Sequence, residues 1–410
     1  MAATDSLPMR VLIARPVVLR RPWLFVGAVF VLSRLFYLLV GQYLSEALPP
    51  PTSRFLPPAH LSRHLALGIW AHWDGAWYIA IATRGYANHG FPTDPLAATA
   101  FFPLYPVLIR LGWLLTDEPA VVGVAISLAC LLAALVFVYR VAEAGWGSRV
   151  AEAAVLCLAL FPTSFYFNAV YTESLFLALS AGAVWAVRCH KRLLLGCALA
   201  GLASATRNVG VLLLVPLGYT WLSERRRYRW QGLALALVPA GLACYMAYLA
   251  LQFGDPLIFQ QQQAQHWERQ LTSPDRVVVA ALKQARAGLP EFLAPGRMLT
   301  AHNLSSSFEA GNLANLGAFV FAVVLLGLGL RRLPADLLAY TFALTIPPAL
   351  FATPDQALMS LPRLVLAAFP LFIVLGTLLQ RRWVLGLWLA GNVVLSVYLC
   401  ALFVSWRWVA

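Results

Sequence analysis

The stretch Trp70-Ala71-His72-Trp73-Asp74-Gly75-Ala76-Trp77-Tyr78 sets an acid and a histidine among four aromatic residues. The chain has only 17 Asp and Glu in 410 residues, so a carboxylate framed by tryptophans calls for a reason. A carboxylate within hydrogen-bond reach of a hydroxyl can take its proton and make the oxygen a nucleophile. Asp74 is therefore a candidate general base. Trp73 and Trp77, with Tyr78 beside them, would exclude water and stack against a sugar ring or a prenyl chain. A competing reading is local: an aspartate just before Gly75 and a helical run is a normal helix N-cap. The two roles are compatible.

Three other charged positions could work with this acid. Glu173 stands in Asn168-Ala169-Val170-Tyr171-Thr172-Glu173-Ser174, inside an apolar run, where an ionisable group is expensive and by default functional. A structural pairing with Arg207 is the alternative. Arg207 and Asn208 separate two short apolar runs, and Arg363 follows Ser360-Leu361-Pro362 at the end of another. A guanidinium there is shaped to grip a phosphate in a bidentate way. Snorkelling toward headgroups would also explain Arg363. His72 and the pair His266-Trp267 are candidate substrate contacts, each against the alternative of a capping or solvated residue. No cysteine or histidine spacing suggests a metal ligand set. Cys130, Cys157, Cys189, Cys197, Cys244 and Cys400 lie in or beside apolar runs and read as small apolar side chains. No metal and no cofactor is expected.

The elements that must position these residues are membrane helices. The chain is 61% hydrophobic and 11% charged, with a mean hydropathy of +0.74; a soluble domain carries about 25% charged residues. The net charge of +13 sits in short clusters between apolar runs, which is a topology signal rather than nucleic-acid binding. Eleven spans are expected, at about 22–43, 119–139, 150–162, 166–187, 193–206, 209–222, 230–252, 312–330, 335–352, 363–380 and 383–405. Arg10, Arg15, Arg20 and Arg21 put the N-terminus on the cytoplasmic side. Basic turns then recur on that side at Arg188 to Arg192, Arg225 to Arg229, Arg331-Arg332 and Arg381-Arg382. Two long polar segments, 44–118 and 253–311, fall on the opposite face. The first opens with Pro49-Pro50-Pro51 and includes an apolar patch at 104–115 that suits an interfacial or re-entrant helix. The third, fifth and sixth spans are short. A 14-residue helix rises about 21 Å against a hydrocarbon core of about 30 Å. Such pairs leave a water-filled cavity above them, here under Asp74.

Six blocks in order along the chain carry a family resemblance. They are His72-Trp73-Asp74-Gly75 with Trp77-Tyr78 and Gly85-Tyr86; Phe101-Phe102-Pro103-Leu104-Tyr105-Pro106; Phe161-Pro162 leading to Ala169-Val170-Tyr171-Thr172-Glu173-Ser174-Leu175-Phe176; Arg207-Asn208 with Gly210; Phe253-Gly254-Asp255-Pro256 then Gln265-His266-Trp267; and Ser360-Leu361-Pro362-Arg363 then Phe369-Pro370. With these blocks the chain resembles bacterial members of the GPI mannosyltransferase II (PIG-V-like) family, within the GT-C superfamily of membrane glycosyltransferases. One departure is Arg207-Asn208-Val209-Gly210, where the family often has Arg-Ser-Asn-Gly; this shifts the register at Asn208.

The resemblance implies an all-α GT-C-like bundle forming one domain over 1–410. It implies a polyprenyl-phosphate mannose donor and an acceptor hydroxyl on a glycan, glycolipid or protein. It also implies inversion at the anomeric carbon, an α-linked product and chemistry on the non-cytoplasmic face of a bacterial plasma membrane. Asp74 would deprotonate the acceptor, and Arg207 and Arg363 would stabilise the leaving lipid phosphate. The competing class is a transporter or lipid flippase, since broken helices around buried charge also serve transport.

Overall fold

A computed structural model describes residues 22–48, 50, 62, 64–86, 96–300 and 304–409. The basic residues at 10, 15, 20 and 21, and Pro49 and Pro51, lie outside the described residues. The principal helices, in chain order, are α1 (Pro22–Ala47), α2 (Asp74–Arg84), α3 (Leu104–Thr116), α4 (Pro119–Trp146) and α5 (Ser148–Ala159). Then come α6 (Glu173–Arg188), α7 (Leu193–Thr206), α8 (Leu214–Ser223), α9 (Ala240–Phe253) and α10 (Ile258–Gln265). The last are α11 (Pro274–Phe292), α12 (Ser305–Gly329), α13 (Ala335–Ala349), α14 (Phe369–Leu378) and α15 (Arg382–Val404).

Among the described residues five helical stretches are long and apolar enough to cross a membrane: α1, α4, Arg225–Phe253, α12 and α15. A sixth is Leu361–Ala367 plus α14, bent by 82° at its break. The protein is thus a multi-pass, predominantly helical membrane protein. Eleven apolar runs are present, but several are shorter as helices than as runs. The run at 166–187 begins its helix only at Glu173; residues 160–172 are turns and a short 3-10 segment, Ser164–Phe167. The run at 209–222 is a 3-10 turn followed by α8. The run at 363–380 is the bent pair. The run at 312–330 belongs to a helix that begins earlier, at Ser305. Hydropathy marks burial, but it does not mark the breaks in the backbone ladder at Phe161-Pro162 and before Phe369-Pro370.

The short helices turn at two levels. Trp146 Nε1 donates to the Arg332 carbonyl at 3.1 Å. Lys191 pairs with Glu224 at 2.9 Å, and Arg188 pairs with Asp336. These contacts gather the basic turns at one end of the bundle. At the other end lie the turn 160–172, the α7 terminus at Arg207, the bend at 361–368 and the described parts of both polar segments. The turn 160–172 is almost wholly buried, so its backbone groups need partners. Arg34, buried in the middle of α1, supplies one of them and ties the turn down through two further bonds. Its guanidinium donates to the Ala159 carbonyl (2.7 Å), the Ser164 carbonyl (2.9 Å) and Asn168 Oδ1 (2.9 Å). The first of these bonds caps the carbonyl end of α5 with a cation. Ser127 Oγ on α4 donates to the Ala169 carbonyl (2.8 Å), and the Tyr105 hydroxyl reaches Ser127 and the Gly123 carbonyl.

The first polar segment lies over this floor. Val170 N–H donates to the Trp70 carbonyl (2.8 Å). The Tyr86 and Tyr245 hydroxyls donate to the carbonyls of Phe101 and Thr99, both at 2.7 Å. In the second segment, β1 (Gln270–Leu271) pairs antiparallel with β2 (Phe351–Ala352). The chain end folds back under the first segment: Trp406 and Val409 are buried, and Trp408 N–H donates to Ser307 Oγ (3.0 Å).

Candidate active site

Asp74 is the first residue of α2, and Trp73 holds the cap position with φ 56°. No side chain caps the helix from Trp73. The Tyr171 hydroxyl acts instead: it accepts the Asp74 N–H at 3.1 Å and donates to the His72 carbonyl at 3.2 Å. A cap bond is worth about 1 kcal/mol, and here the buried turn provides it. The Asp74 side chain turns to Arg363, with Oδ2 and Nη1 2.5 Å apart.

Arg363 reaches a second acid. Its Nε lies 3.9 Å from Glu173 Oε1, and Arg207 Nη1 lies 3.2 Å from the same oxygen. Glu173 is the first residue of α6, where the helix N-terminus favours a negative charge. Its side chain is 2% exposed, whereas those of Asp74, Arg207 and Arg363 are 18%, 17% and 14% exposed. Glu173 is thus the fully buried member of the cluster, and the other three are partly buried. The structural pairing of Glu173 with Arg207 is present, and it sits inside the same charged group as Asp74.

A third guanidinium was not singled out from the sequence. Arg269 donates from Nη2 to Ser360 Oγ at 3.1 Å. Burial, with the nearby positive charges of Arg363 and Arg207, lowers its pKa to about 10 despite Asp74, so it stays charged at neutral pH. Three guanidiniums therefore face two carboxylates, with one positive charge in excess. The buried Nε atoms of Arg269 and Arg363, and Glu173 Oε2, have no hydrogen-bond partner. Unspent guanidinium donors at such a site suit an anion's oxygens. The sequence signal for Arg269 was its place two residues after Trp267. For Arg34 it was a lone charge in the first span.

An aromatic group forms on α2 within one turn of Asp74. Trp77 stacks on Phe101 (5.4 Å, 16°) and meets His266 and Trp267, each at 5.9 Å. Phe101 also meets Trp267 at 5.5 Å. Tyr78 packs edge-on to Phe101 and Tyr105, with its hydroxyl 3.4 Å from Thr172 Oγ1. The two polar segments therefore join through Trp77, Phe101, His266 and Trp267.

Three other candidates point elsewhere. His72 is buried, lies 3.2 Å from the Phe403 carbonyl through Nδ1, and stacks on Trp406 at 3.8 Å. Burial pushes its pKa down to about 3, against a small opposing effect of that carbonyl. It is neutral and anchors the folded-back chain end. Trp73 packs edge-on to Trp408 (5.2 Å) and Phe308 (6.5 Å) in the same anchor. Asn208 is exposed, and its Oδ1 accepts the Val209 N–H (2.8 Å).

Backbone strain surrounds the charges. Among the described residues seven non-glycine residues have positive φ. Trp73 (56°), Glu268 (53°) and Ser360 (69°) come just before Asp74, Arg269 and the Arg363 turn. Each such position costs about 1–3 kcal/mol and persists where the surroundings over-determine it. Among the described residues no three His, Cys, Asp or Glu side chains are grouped to hold a metal ion.

A family profile described as Mannosyltransferase (PIG-V) matches residues 24–253. No curated protein matches the chain. ArnT from Cupriavidus metallidurans bound to undecaprenyl phosphate is similar over 94% of this chain and 78% of its own, with 13% identity and a TM-score of 0.41. The apo state of that protein is similar over 92% and 77%, with 14% identity and the same TM-score.

Proposed function

The chain belongs to the mannosyltransferase (PIG-V) family, and on that premise we propose that it moves mannose from a polyprenyl-phosphate donor to an acceptor hydroxyl. The observation that carries this reading is the convergence of Asp74, Glu173, Arg207 and Arg363, from four separate segments, within ion-pair distances. A partly exposed carboxylate beside an excess of guanidinium suits a reaction that removes a proton and releases a phosphate.

In the resting cluster the Asp74 carboxylate is occupied by Arg363. A donor phosphate would compete for that guanidinium, with Arg207 and Arg269 beside it. Arg363 shifts to the phosphate and frees the carboxylate. Asp74 then accepts the acceptor's hydroxyl proton. The oxygen attacks C1 from the face opposite the phosphate, the new C1–O bond forms, and the C1–O bond to phosphate breaks with its electrons. The product is an inverted glycoside plus polyprenyl phosphate. Trp77 and Trp267 offer faces for the sugar ring. The basic turns at the far end support a cytoplasmic location for that end and a site on the opposite face.

The test supplies purified protein and polyprenyl-phosphate mannose carrying a radiolabel to membranes from cells lacking the gene. Label should enter an acceptor with the native chain and not with Asp74→Asn. A second reading, a lipid flippase, is favoured by the 82° break after Ala367. Labelled lipid crossing the bilayer with no mannose transferred would select it.

A further inference from the structure

Helix α11 belongs to neither the charged cluster nor a span, yet its surface is sharply divided. Val277, Ala281, Ala285 and Gly288 are buried, and the helix packs along α12 on this face. A Cβ on Gly288 would come within 1.9 Å of the Glu309 carbonyl oxygen, so the two backbones nearly touch. Beside that face runs a second stripe, Val278, Leu282, Leu289 and Leu293, at intervals that keep one helix side. All four are exposed, Leu282 at 54% and Leu293 at 69%. Beyond it, on the third side, stand the exposed cations Arg276, Lys283 and Arg286. The acid Asp275 lies at the start of the stripe, in the first turn.

A soluble helix hides its leucines and shows its charges. Here one apolar side is buried in protein and a second is not, with a row of cations along its edge. This is the surface of a helix lying in a membrane interface, where leucines enter the acyl region and Lys and Arg reach lipid phosphates. Neighbouring surface agrees: Leu271 on β1 and Phe351 on β2 are exposed apolar residues beside the α11 start. We propose that α11 is an interfacial lipid-binding helix, seated in an anionic leaflet through Val278, Leu282, Leu289 and Leu293, with Arg276, Lys283 and Arg286 on anionic headgroups.

This seating bears on the charged cluster. Gln284 on α11 donates from Nε2 to the Pro354 carbonyl (2.7 Å) and accepts the Ala357 N–H (2.8 Å). It clamps the loop that leads through Ser360 to Arg363. The depth of α11 in the lipid therefore sets where that loop sits.

The proposal stands apart from mannose transfer and is tested without it. Spin labels are placed through Leu282→Cys, Leu289→Cys, Arg276→Cys and Lys283→Cys, in nanodiscs containing anionic lipid. The parent carries Cys244→Ala, which removes the exposed native cysteine, and its own signal is subtracted. Labels at 282 and 289 should be open to oxygen and closed to a water-soluble nickel reagent, at a depth of about 5–10 Å. Labels at 276 and 283 should show the reverse. Exchanging Arg276, Lys283 and Arg286 for Gln should make the 282 label shallower in anionic discs and leave it unchanged in neutral ones. Nickel access at 282 and 289 would mean a solvent face. Shielding from both reagents would mean a protein partner or a second copy. A triple-Gln effect of equal size in neutral discs would remove the preference for anionic lipid. Each of these outcomes overturns the proposal.

Discussion

Asp74→Asn changes one atom type and leaves the side chain's volume intact, so it separates proton transfer from packing. The amide can still accept from Arg363 through its oxygen, and Arg363 keeps Glu173 at 3.9 Å. The folding cost should therefore stay below the ~3–5 kcal/mol of an ion pair broken in a fully buried place. The kinetic cost should be larger relative to function. Positioned general bases contribute about 10²–10⁴ in rate, or roughly 3–5 kcal/mol of barrier at 1.36 kcal/mol per tenfold. The charge change adds a signature. With Asp74 neutral, Arg207, Arg269 and Arg363 face Glu173 alone, and the positive excess rises from one to two. Donor phosphate should then bind as tightly as before or tighter. Initial rates of mannose transfer against donor concentration should show kcat reduced at least a hundredfold with KM unchanged or lower, and the melting temperature in detergent should stay near that of the native chain. A kcat within tenfold of native would refute the base assignment. A raised KM with lowered melting temperature would make Asp74 a structural partner of Arg363 instead.

Arg269→Gln removes one charged hydrogen-bond donor, worth about 1.5–3 kcal/mol, while relieving repulsion from Arg207 and Arg363. Donor KM should rise by roughly ten- to a hundredfold with no loss of thermal stability; a fall in stability without a KM change would make Arg269 a fold residue. For His72, a folded pKa near 3, below the ordinary 6.5, means that the neutral ring is favoured by folding. Its stabilisation is complete above pH 6.5 and is lost as pH falls toward 3, at about 1.4 kcal/mol per pH unit. Melting temperatures between pH 7 and 4.5 should fall more steeply for the native chain than for His72→Gln; parallel slopes would show that His72 is not the group responsible. Gly288→Ala drives a methyl against the Glu309 carbonyl. Overpacking of this kind costs about 1–3 kcal/mol, so the melting temperature should drop, and an unchanged value would mean that α11 and α12 part without penalty.

Much of the molecule is legible from composition and spacing alone. Apolar run length and basic turns specify a multi-pass helical protein, because a lipid interior admits few other arrangements. The same rules place both polar segments at the end opposite the basic turns, and the ion pairs Arg188–Asp336 and Lys191–Glu224 hold those turns together. Asp74, Glu173, Arg207 and Arg363 could be picked out one at a time, since each is a costly charge beside or within apolar sequence. Their meeting could not be picked out. They are far apart in the chain, and no local rule brings Arg363 to Asp74 rather than leaving it among headgroups. That is decided by breaks in the helices: the buried turn 160–172, held by Arg34, and the bend after Ala367. Tertiary contacts likewise sort the aromatic residues. Trp73 and Trp77 lie four positions apart on the same motif, but one packs on the folded-back chain end and the other on the second polar segment. The start of α2 sets their spacing along the chain; only the neighbours on each side determine what each of them packs against.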